Sequence, residues 1–232
     1  MPLIIFDVYG TLISTGTGSL DAVRKILELQ EEDIKPEEFY REWKQLHRIN
    51  MDNANKKVFV NEATIFKHDL EQLYLKYNIR RDFNKDVNIM LDTLGKRNCF
   101  DETLLSIETL RKKYRVVIGS NTDNDPLYQD MERNGIAVDQ VYTSEIIHKY
   151  KPDPEFYHYI LRKEECNKKE AVFIGDSYMD DVCGPSQVGI KSILIDRKHT
   201  FCCGENKIKP WKISDSLENI IELVSEFCRR EF

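Results

Sequence analysis

Four short apolar runs constrain the fold of this 232-residue chain more than any other feature of its sequence. Each run is nearly continuous instead of alternating with polar residues, as is typical of parallel strands that are buried on both faces. The runs are LIIF (3–6), RVVIGS (115–120), AVFIGD (171–176) and KSILID (191–196). A stretch with apolar residues at helical spacing precedes each of the last three. This alternation predicts an α/β fold with a doubly wound parallel sheet.

The long segment between the first and second runs has a different pattern. No apolar run of the same kind occurs there, and apolar residues recur at the spacing of amphipathic helices. Four such stretches fill it: SLDAVRKILELQ, PEEFYREWKQLHRI, NEATIFKHDLEQLYLKY and DVNIMLDTLG. We therefore expect an α/β core formed by residues 1–16 and 96–232, and a small all-helical cap domain formed by residues 17–95, named here the cap segment.

Some side chains of the cap segment have an expected place in it. Trp43, Phe39 and Tyr40 are expected to form its core. His47 lies on a predicted helix, where a histidine more often packs or faces solvent than acts as an acid or base.

Composition limits the partners that the chain is expected to bind. Its 40 acidic residues outnumber its 34 basic residues and give a net charge of −6, which argues against a general nucleic-acid-binding protein. No apolar run approaches the roughly 20 residues that a membrane-spanning helix needs, and the amino terminus has no basic segment of the signal-peptide kind. We expect a cytoplasmic protein that binds a small-molecule substrate and neither membranes nor nucleic acids. The sequence does not indicate an oligomeric state.

Six cysteines are present, and none forms a CxxC pair. The adjacent pair Cys202 and Cys203 is expected to consist of reduced thiols, with metal ligation or a redox pair as the less favoured alternatives.

Polar residues cluster at the ends of the predicted strands. In an open α/β sheet, ligands bind beyond the carboxyl ends of the strands, so residues at these ends are candidates for a functional site. The candidates are Asp7, Ser120, Asn121, Lys151, Asp176, Asp180 and Asp181. Carboxylates that lie close together repel one another unless a lysine or a divalent cation neutralises them, and oxygen ligands suit Mg²⁺. A carboxylate can also act as a nucleophile.

Four motifs in this order carry a family resemblance. The stretches DVYGTL, VVIGSN, YKPDP and FIGDSYMDD resemble the four motifs of the haloacid dehalogenase (HAD) superfamily of hydrolases. The helical insertion after the first motif is similar to the small cap domain of that superfamily. The resemblance covers nearly the whole chain.

The resemblance implies catalytic and substrate-binding roles for five residues. Asp7 would be the nucleophile, and Thr11 would orient it from the turn that follows. Ser120 and Asn121 would bind the anionic group of the substrate. Lys151 would neutralise the nucleophile and the charge that develops during the reaction.

The resemblance also implies a Mg²⁺ site. Its ligands would be Asp7, the backbone carbonyl of Tyr9, and Asp176. Asp181 would be a further ligand or would hold a metal-bound water molecule. Of the adjacent pair Asp180 and Asp181, only one is expected to face the site, and the spacing of the motif favours Asp181.

Tyr9 stands where most phosphatases of this superfamily carry a second aspartate, which protonates the leaving group. A tyrosine, whose reference pKa is about 10, is a poor substitute near neutral pH. DVYGTL instead resembles the 2-haloacid dehalogenase branch, in which the halide leaving group needs no proton. Against that branch, GDSYMDD is the carboxylate-rich form expected for Mg²⁺, and Glu42 falls where those dehalogenases carry a cap arginine. Arg41 or Arg48 is a candidate to replace that arginine.

Three functions therefore remain open, in order of preference. The first is a Mg²⁺-dependent phosphatase that acts on a small phosphorylated metabolite, since a cap of this size favours a closed site. The second is a metal-independent 2-haloacid dehalogenase. The third is a binding or regulatory protein with little turnover, built on the same scaffold.

Overall fold

The computed structural model of the protein describes residues 1–28, 34–201 and 207–231. In these residues six strands form a parallel sheet with the order β3-β2-β1-β4-β5-β6, which confirms the predicted α/β fold. The strands are β1 (Leu3–Phe6), β2 (Arg115–Ser120), β3 (Gln140–Thr143), β4 (Ala171–Gly175), β5 (Lys191–Ile195) and β6 (Lys212–Ser214). Cys202 and Cys203 lie outside the described residues.

Helices occupy both the insertion after β1 and the connections between the later strands. The insertion holds α1 (Gly18–Glu28), α2 (Pro36–Lys56), α3 (Glu62–Lys76) and α4 (Phe83–Leu91). The later helices are α5 (Thr103–Arg111), α6 (Asn124–Asn134), α7 (Ser144–Ile147), α8 (Pro154–Lys163), α9 (Gly184–Val188) and α10 (Ile220–Glu231), with a 3-10 turn at Lys168–Glu170 and a π-helical turn at Tyr178–Cys183. Among the described helices, none has both the length and the apolar character needed to cross a membrane.

The central position of β1 explains its apolar sequence. It pairs with β2 on one side and β4 on the other, and all four of its residues are buried. Successive side chains point to opposite faces of the sheet. Ile4 and Phe6 therefore join the apolar cluster on one face, whereas Leu3 and Ile5 join the cluster on the other.

Two strands were not expected from the sequence. β3 and β6 form the two edges of the sheet and have only four and three residues. Each mixes polar and apolar residues, so neither shows the continuous apolar run that marks a central strand.

The helices of the cap segment bury an apolar cluster of their own. Phe39 and Trp43 of α2 are 0% and 2% exposed, which confirms their expected place in its core, and Tyr40 is partly buried against the same cluster. The division of the chain into a core and a cap stays a prediction, and this separate cluster is its structural basis.

Candidate active site

Asp7 directly follows the central strand, and its N–H extends the sheet by donating to the carbonyl of Ile174 at 2.8 Å. Asp7 is buried, and its carboxylate accepts hydrogen bonds from two hydroxyl groups. The Ser120 hydroxyl, at the end of β2, lies 3.0 Å from Oδ1, and the Thr11 hydroxyl lies 3.4 Å from Oδ2. The two ends of neighbouring strands thus bring Asp7, Thr11 and Ser120 together.

Lys151 bridges two of the carboxylates. Its ammonium group is 2% exposed and donates to Asp7 Oδ1 at 2.7 Å, to Asp181 Oδ1 at 2.8 Å and to the carbonyl of Gly119 at 3.2 Å. Burial alone would lower the pKa of Lys151, but the charges of Asp181 and Asp7 outweigh it and raise that pKa. The lysine is therefore a cation at neutral pH.

Asn121 holds the backbone of the same lysine. The Lys151 N–H donates to Asn121 Oδ1 at 2.7 Å, and Asn121 Nδ2 donates to the Lys151 carbonyl at 3.1 Å. The side-chain amide predicted to bind the substrate is thus committed to Lys151. Its assignment as a substrate-binding residue stays a prediction.

Three carboxylates converge at this edge of the sheet. Asp7, Asp176 and Asp181 each offer an oxygen, and these oxygens lie within 4.8 Å of one another. Partial burial and the charge of Asp7 raise the pKa of Asp176 to about 7. Burial raises the pKa of Asp181, although Lys151 opposes the shift. Among the described residues, Lys151 forms the ion pairs with this cluster, and the remaining excess of negative oxygen ligands fits a divalent cation such as Mg²⁺.

Two glycines allow the carboxylates to approach so closely. Gly10 has a φ of 95°, and a Cβ atom at this position would collide with the carboxylate of Asp176. A Cβ atom at Gly175 would collide with the side chain of Asp181. Any larger residue at either position would push a carboxylate out of the cluster.

The adjacent pair Asp180 and Asp181 points in two directions. Asp181 is fully buried and accepts from Lys151 and from the Ser177 N–H at 2.9 Å. Asp180 instead accepts two hydrogen bonds from Arg48 of α2, at 2.7 and 2.9 Å. Of this pair, Asp181 belongs to the three-carboxylate cluster, and its role as a metal ligand stays a prediction.

The side chain of Tyr9 is bound away from the nucleophile. Its hydroxyl donates to Asp130 of α6 at 3.0 Å, and the guanidinium of Arg97 lies 4.6 Å from the centre of its ring. Burial and the charge of Asp130 raise the pKa of Tyr9. The phenol is therefore neutral, and it makes no hydrogen bond to Asp7 within the described part of the chain.

Glu42 and Arg48, two of the residues considered for the position of the cap arginine, are both engaged in ion pairs. Glu42 forms an ion pair with Lys76 at 2.7 Å on the surface of the cap segment. Arg48 is bound to Asp180, so a substrate carboxylate would have to compete with that ion pair for it.

Arg197 is a residue of the site that the sequence did not indicate. It lies two residues beyond β5 and donates to the carbonyls of Gly10 and Thr11, at 3.3 and 3.0 Å. It also pairs with Glu102 at 2.8 Å, so it ties the turn after Asp7 to α5. Applying the strand-end rule to the fourth apolar run would have pointed to it.

A cavity of about 510 Å³ opens beside Asp176. Its walls come from the segment after Asp7, from the residue Phe100 before α5, and from the end of β5 with the segment that follows it. These residues are Gly10, Ser14, Thr15, Gly16, Phe100, Ile195, Asp196, Arg197, Lys198 and Thr200. This volume suits a small organic ligand.

A parallel α/β sheet with a helical insertion and a buried carboxylate–lysine site at its central strand ends defines a class of hydrolase folds. The chain belongs to the haloacid dehalogenase-like hydrolase family, whose model matches residues 4–195. The predicted family is thereby confirmed.

The relatives within this family are distant. The chain is 27% identical over 104 residues to a glyceraldehyde 3-phosphate phosphatase of Methanothermobacter thermautotrophicus, a match that covers 44% of this chain and 46% of the relative. Matches to curated relatives span between 23% and 46% of the lengths of those proteins.

Solved structures show the same fold along almost the whole chain. The HAD-hydrolase YfnB from Bacillus subtilis, bound to magnesium, has a TM-score of 0.79 at 17% identity and covers 97% of this chain and 98% of its own. The L-2-haloacid dehalogenase of Xanthobacter autotrophicus, with chloropropionic acid covalently bound, has a TM-score of 0.76 at 15% identity, with coverages of 97% and 98%. At these identities the likeness concerns the fold alone.

Proposed function

We propose that this protein is a Mg²⁺-dependent phosphatase that acts on a small phosphorylated metabolite and uses Asp7 as its nucleophile. The observation that carries the proposal is the cluster of Asp7, Asp176 and Asp181, whose oxygens lie within 4.8 Å of one another. The negative charge of these carboxylates exceeds the positive charge of Lys151, which pairs with two of them. Without a cation the repulsion among these carboxylates favours protonation, as the raised pKa of Asp176, about 7, indicates, and a bound cation would relieve the same repulsion.

The cation would be held by residues that the fold brings to one edge. Asp7, Asp176 and the backbone carbonyl of Tyr9 are the proposed ligands, with Asp181 as a further ligand or a holder of a metal-bound water. Bound Mg²⁺ would supply positive charge against the oxygens of a phosphoryl group.

The hydrogen bonds of Asp7 distinguish its two oxygens. Oδ1 accepts from Lys151 at 2.7 Å and from Ser120 at 3.0 Å, whereas within the described residues Oδ2 accepts one longer bond, from Thr11 at 3.4 Å. Oδ2 is therefore the freer nucleophile. Its attack forms an oxygen–phosphorus bond to Asp7 while the bond from phosphorus to the leaving oxygen breaks. Water then attacks the same phosphorus, which releases phosphate and restores the carboxylate.

Lys151 contributes a fixed positive charge to both steps. Its ammonium is held at Asp7 before the reaction begins, so no reorganisation is needed when charge develops. Its raised pKa keeps it protonated, which excludes it as a general base near neutral pH.

The position of Tyr9 favours substrates with good leaving groups. Its hydroxyl is bound to Asp130 and its pKa is raised, so it does not protonate the leaving oxygen. That proton comes from solvent, from the substrate or from another residue, and an acyl phosphate would depend on it least.

A second function, dehalogenation of a 2-haloacid, is favoured by the DVYGTL motif and its tyrosine. Halide leaves without a proton, so Tyr9 would be no handicap. The carboxylate cluster opposes this function in its metal-independent form, because without a cation the substrate carboxylate would enter a site already rich in negative charge.

The test compares an aryl phosphate with 2-chloropropionate, using the same protein preparation with Mg²⁺ and with EDTA. We expect phosphate release that needs Mg²⁺ and is lost in Asp7→Asn and in Asp176→Ala. Asp92→Asn, an exposed position at the end of α4, is the matched control and should keep full activity.

The opposite outcomes are equally clear. Chloride release that is unaffected by EDTA would overturn the phosphatase and establish the dehalogenase. If neither substrate reacts and Asp7→Asn binds ligands as well as the wild type, the protein is a binding member of the family.

A further inference from the structure

Tyr150, the residue before Lys151, belongs by its side chain to the cap segment. It is fully buried in a cluster with Met51, Ala54 and Ile65, and Phe59 stacks on its ring at 5.2 Å. Its hydroxyl donates to the carbonyl of Val60 at 2.8 Å. These apolar contacts and this hydrogen bond all involve residues 51–65.

Asn55 of α2 holds the backbone of Tyr150 on both sides. The Tyr150 N–H donates to Asn55 Oδ1 at 2.8 Å, and Asn55 Nδ2 donates to the Tyr150 carbonyl at 2.9 Å. The Lys149 ammonium binds the Asn55 carbonyl as well. Asn121 grips Lys151 in the same manner from the core. Two consecutive residues are therefore each held by a side-chain amide: Tyr150 by Asn55 of the cap segment, and Lys151 by Asn121 of the core.

The other end of the lysine bridge has a similar tether. Asp181 accepts the second hydrogen bond of Lys151, and its neighbour Asp180 is bound by Arg48 of α2. Arg48 and Asn55 are seven residues apart, so two helical turns bring them to the same face of α2. One face of α2 thus contacts both Tyr150, which precedes Lys151, and Asp180, which precedes the Asp181 that accepts from the Lys151 ammonium group.

We propose that Asn55 is a positioning residue for Lys151, so that Lys151 bridges Asp7 and Asp181 only while α2 is docked on the core. Docking of the cap segment and assembly of the site are then one event. The proposal rests on the proposed function in taking Lys151 as the group that stabilises the reacting phosphoryl group.

The first test measures kcat and KM of Asn55→Ala on an aryl phosphate at saturating Mg²⁺, well below the melting temperature. We expect kcat to fall about 10- to 100-fold with a smaller change in KM, because a displacement of 1 Å in a catalytic group costs a factor of this order. Asn53→Ala is the matched control, since Asn53 is exposed on the same helix. It should stay within about twofold of wild type.

The second test follows hydrogen exchange of the Tyr150 amide, whose N–H is held by Asn55. Exchange should accelerate in Asn55→Ala and stay unchanged in Asn53→Ala. Asn55→Asp keeps the acceptor for this N–H and loses the donor to the Tyr150 carbonyl. It should recover part of the protection and part of kcat, which a loss of stability alone would not produce.

The outcomes separate this inference from the proposed function. If wild type hydrolyses the aryl phosphate but Asn55→Ala matches Asn53→Ala in kcat, the positioning role is wrong. If wild type hydrolyses no aryl phosphate, the proposed function fails, and the exchange measurement alone decides. Unchanged exchange of the Tyr150 amide in Asn55→Ala would then show that Asn55 does not hold the Tyr150 backbone.

Discussion

Two fully buried carboxylates, one in the cap segment and one where the central strands end, have surroundings of opposite charge. Asp69 of α3 is surrounded by nitrogen atoms: Trp43 at 3.3 Å, His47 at 2.6 Å and Asn50 at 2.7 Å. Asp181 is surrounded partly by other carboxylates, with Asp7 and Asp176 within 4.8 Å.

The difference separates a structural use of a buried charge from a functional one. Around Asp69, donors satisfy the carboxylate, and the group fixes the packing of α2 against α3. Where the central strands end, three carboxylates meet one ion-paired lysine among the described residues, an arrangement that suits the proposed divalent cation.

The largest effect is expected from Asp69→Ala. It leaves the Trp43 and Asn50 donors without their acceptor and leaves His47 with the longer contact to Glu62, which should lower the free energy of unfolding by about 3–5 kcal/mol. Chemical denaturation measures it, with the exposed Glu71→Ala on the same helix as control, expected within about 0.5 kcal/mol of wild type. A loss below about 1 kcal/mol would contradict a structural role for Asp69.

His47 should make the cap segment sensitive to alkaline pH. Burial would lower its pKa, but hydrogen bonds to Asp69 and Glu62 outweigh it and raise the pKa from 6.5 to about 9. Because the folded state favours the protonated form, its contribution is complete below pH 6.5 and is lost as the pH rises through about 9.

The measurement for His47 is the stability of wild type and of His47→Gln between pH 6 and pH 10. The advantage of wild type should shrink by about 3 kcal/mol across this range. Two curves that run parallel would show that His47 does not carry the charge assigned to it.

Mg²⁺ should stabilise the folded protein by binding to the carboxylate cluster where the central strands end. At about 100-fold excess over its Kd, a ligand of the folded state adds roughly 2.7 kcal/mol, and the melting temperature rises accordingly. Asp176→Asn should lose this response. In EDTA it should be at least as stable as wild type near neutral pH, because it removes a carboxylate whose raised pKa, about 7, indicates that its charge is unfavourable. An equal Mg²⁺ response in Asp176→Asn would exclude Asp176 as a ligand.

The smallest effect is expected from Tyr9→Phe. It removes one donor from the buried Asp130, which keeps the Arg97 N–H at 2.7 Å, so the stability loss should be about 1–2 kcal/mol. Hydrolysis of the aryl phosphate should stay within about twofold of wild type, because the hydroxyl is bound away from Asp7. A tenfold loss of kcat without a matching loss of stability would show that the Tyr9 hydroxyl takes part in catalysis.

The sequence predicted those strands that are buried on both faces. β1, β2, β4 and β5 carry apolar residues at nearly every position, a pattern that central parallel strands require. The edge strands β3 and β6 escaped prediction, since one edge faces solvent and their few residues need not be apolar.

The candidate site was predictable where the strand-end rule applies and unpredictable where a distant partner decides. Asp7, Lys151 and Asp181 meet because parallel strands end at one edge. The direction of the Tyr9 side chain depends on Asp130, 121 residues later, and the contact of Asn55 with Tyr150 spans 95 residues. Nothing in the local pattern of either residue announces such a partner.

The burial of Tyr150 among cap residues has a consequence for protein engineering. Exchange of cap domains between relatives is a natural route to new specificities, with the junctions cut where the chain leaves and re-enters the sheet. In this protein such a cut would transplant residues 17–95 without Tyr150, whose side chain packs in the apolar cluster of Met51, Ala54 and Ile65. A chimera that carries Tyr150 and its neighbours along with the foreign helices should assemble more faithfully than one divided at the crossovers alone.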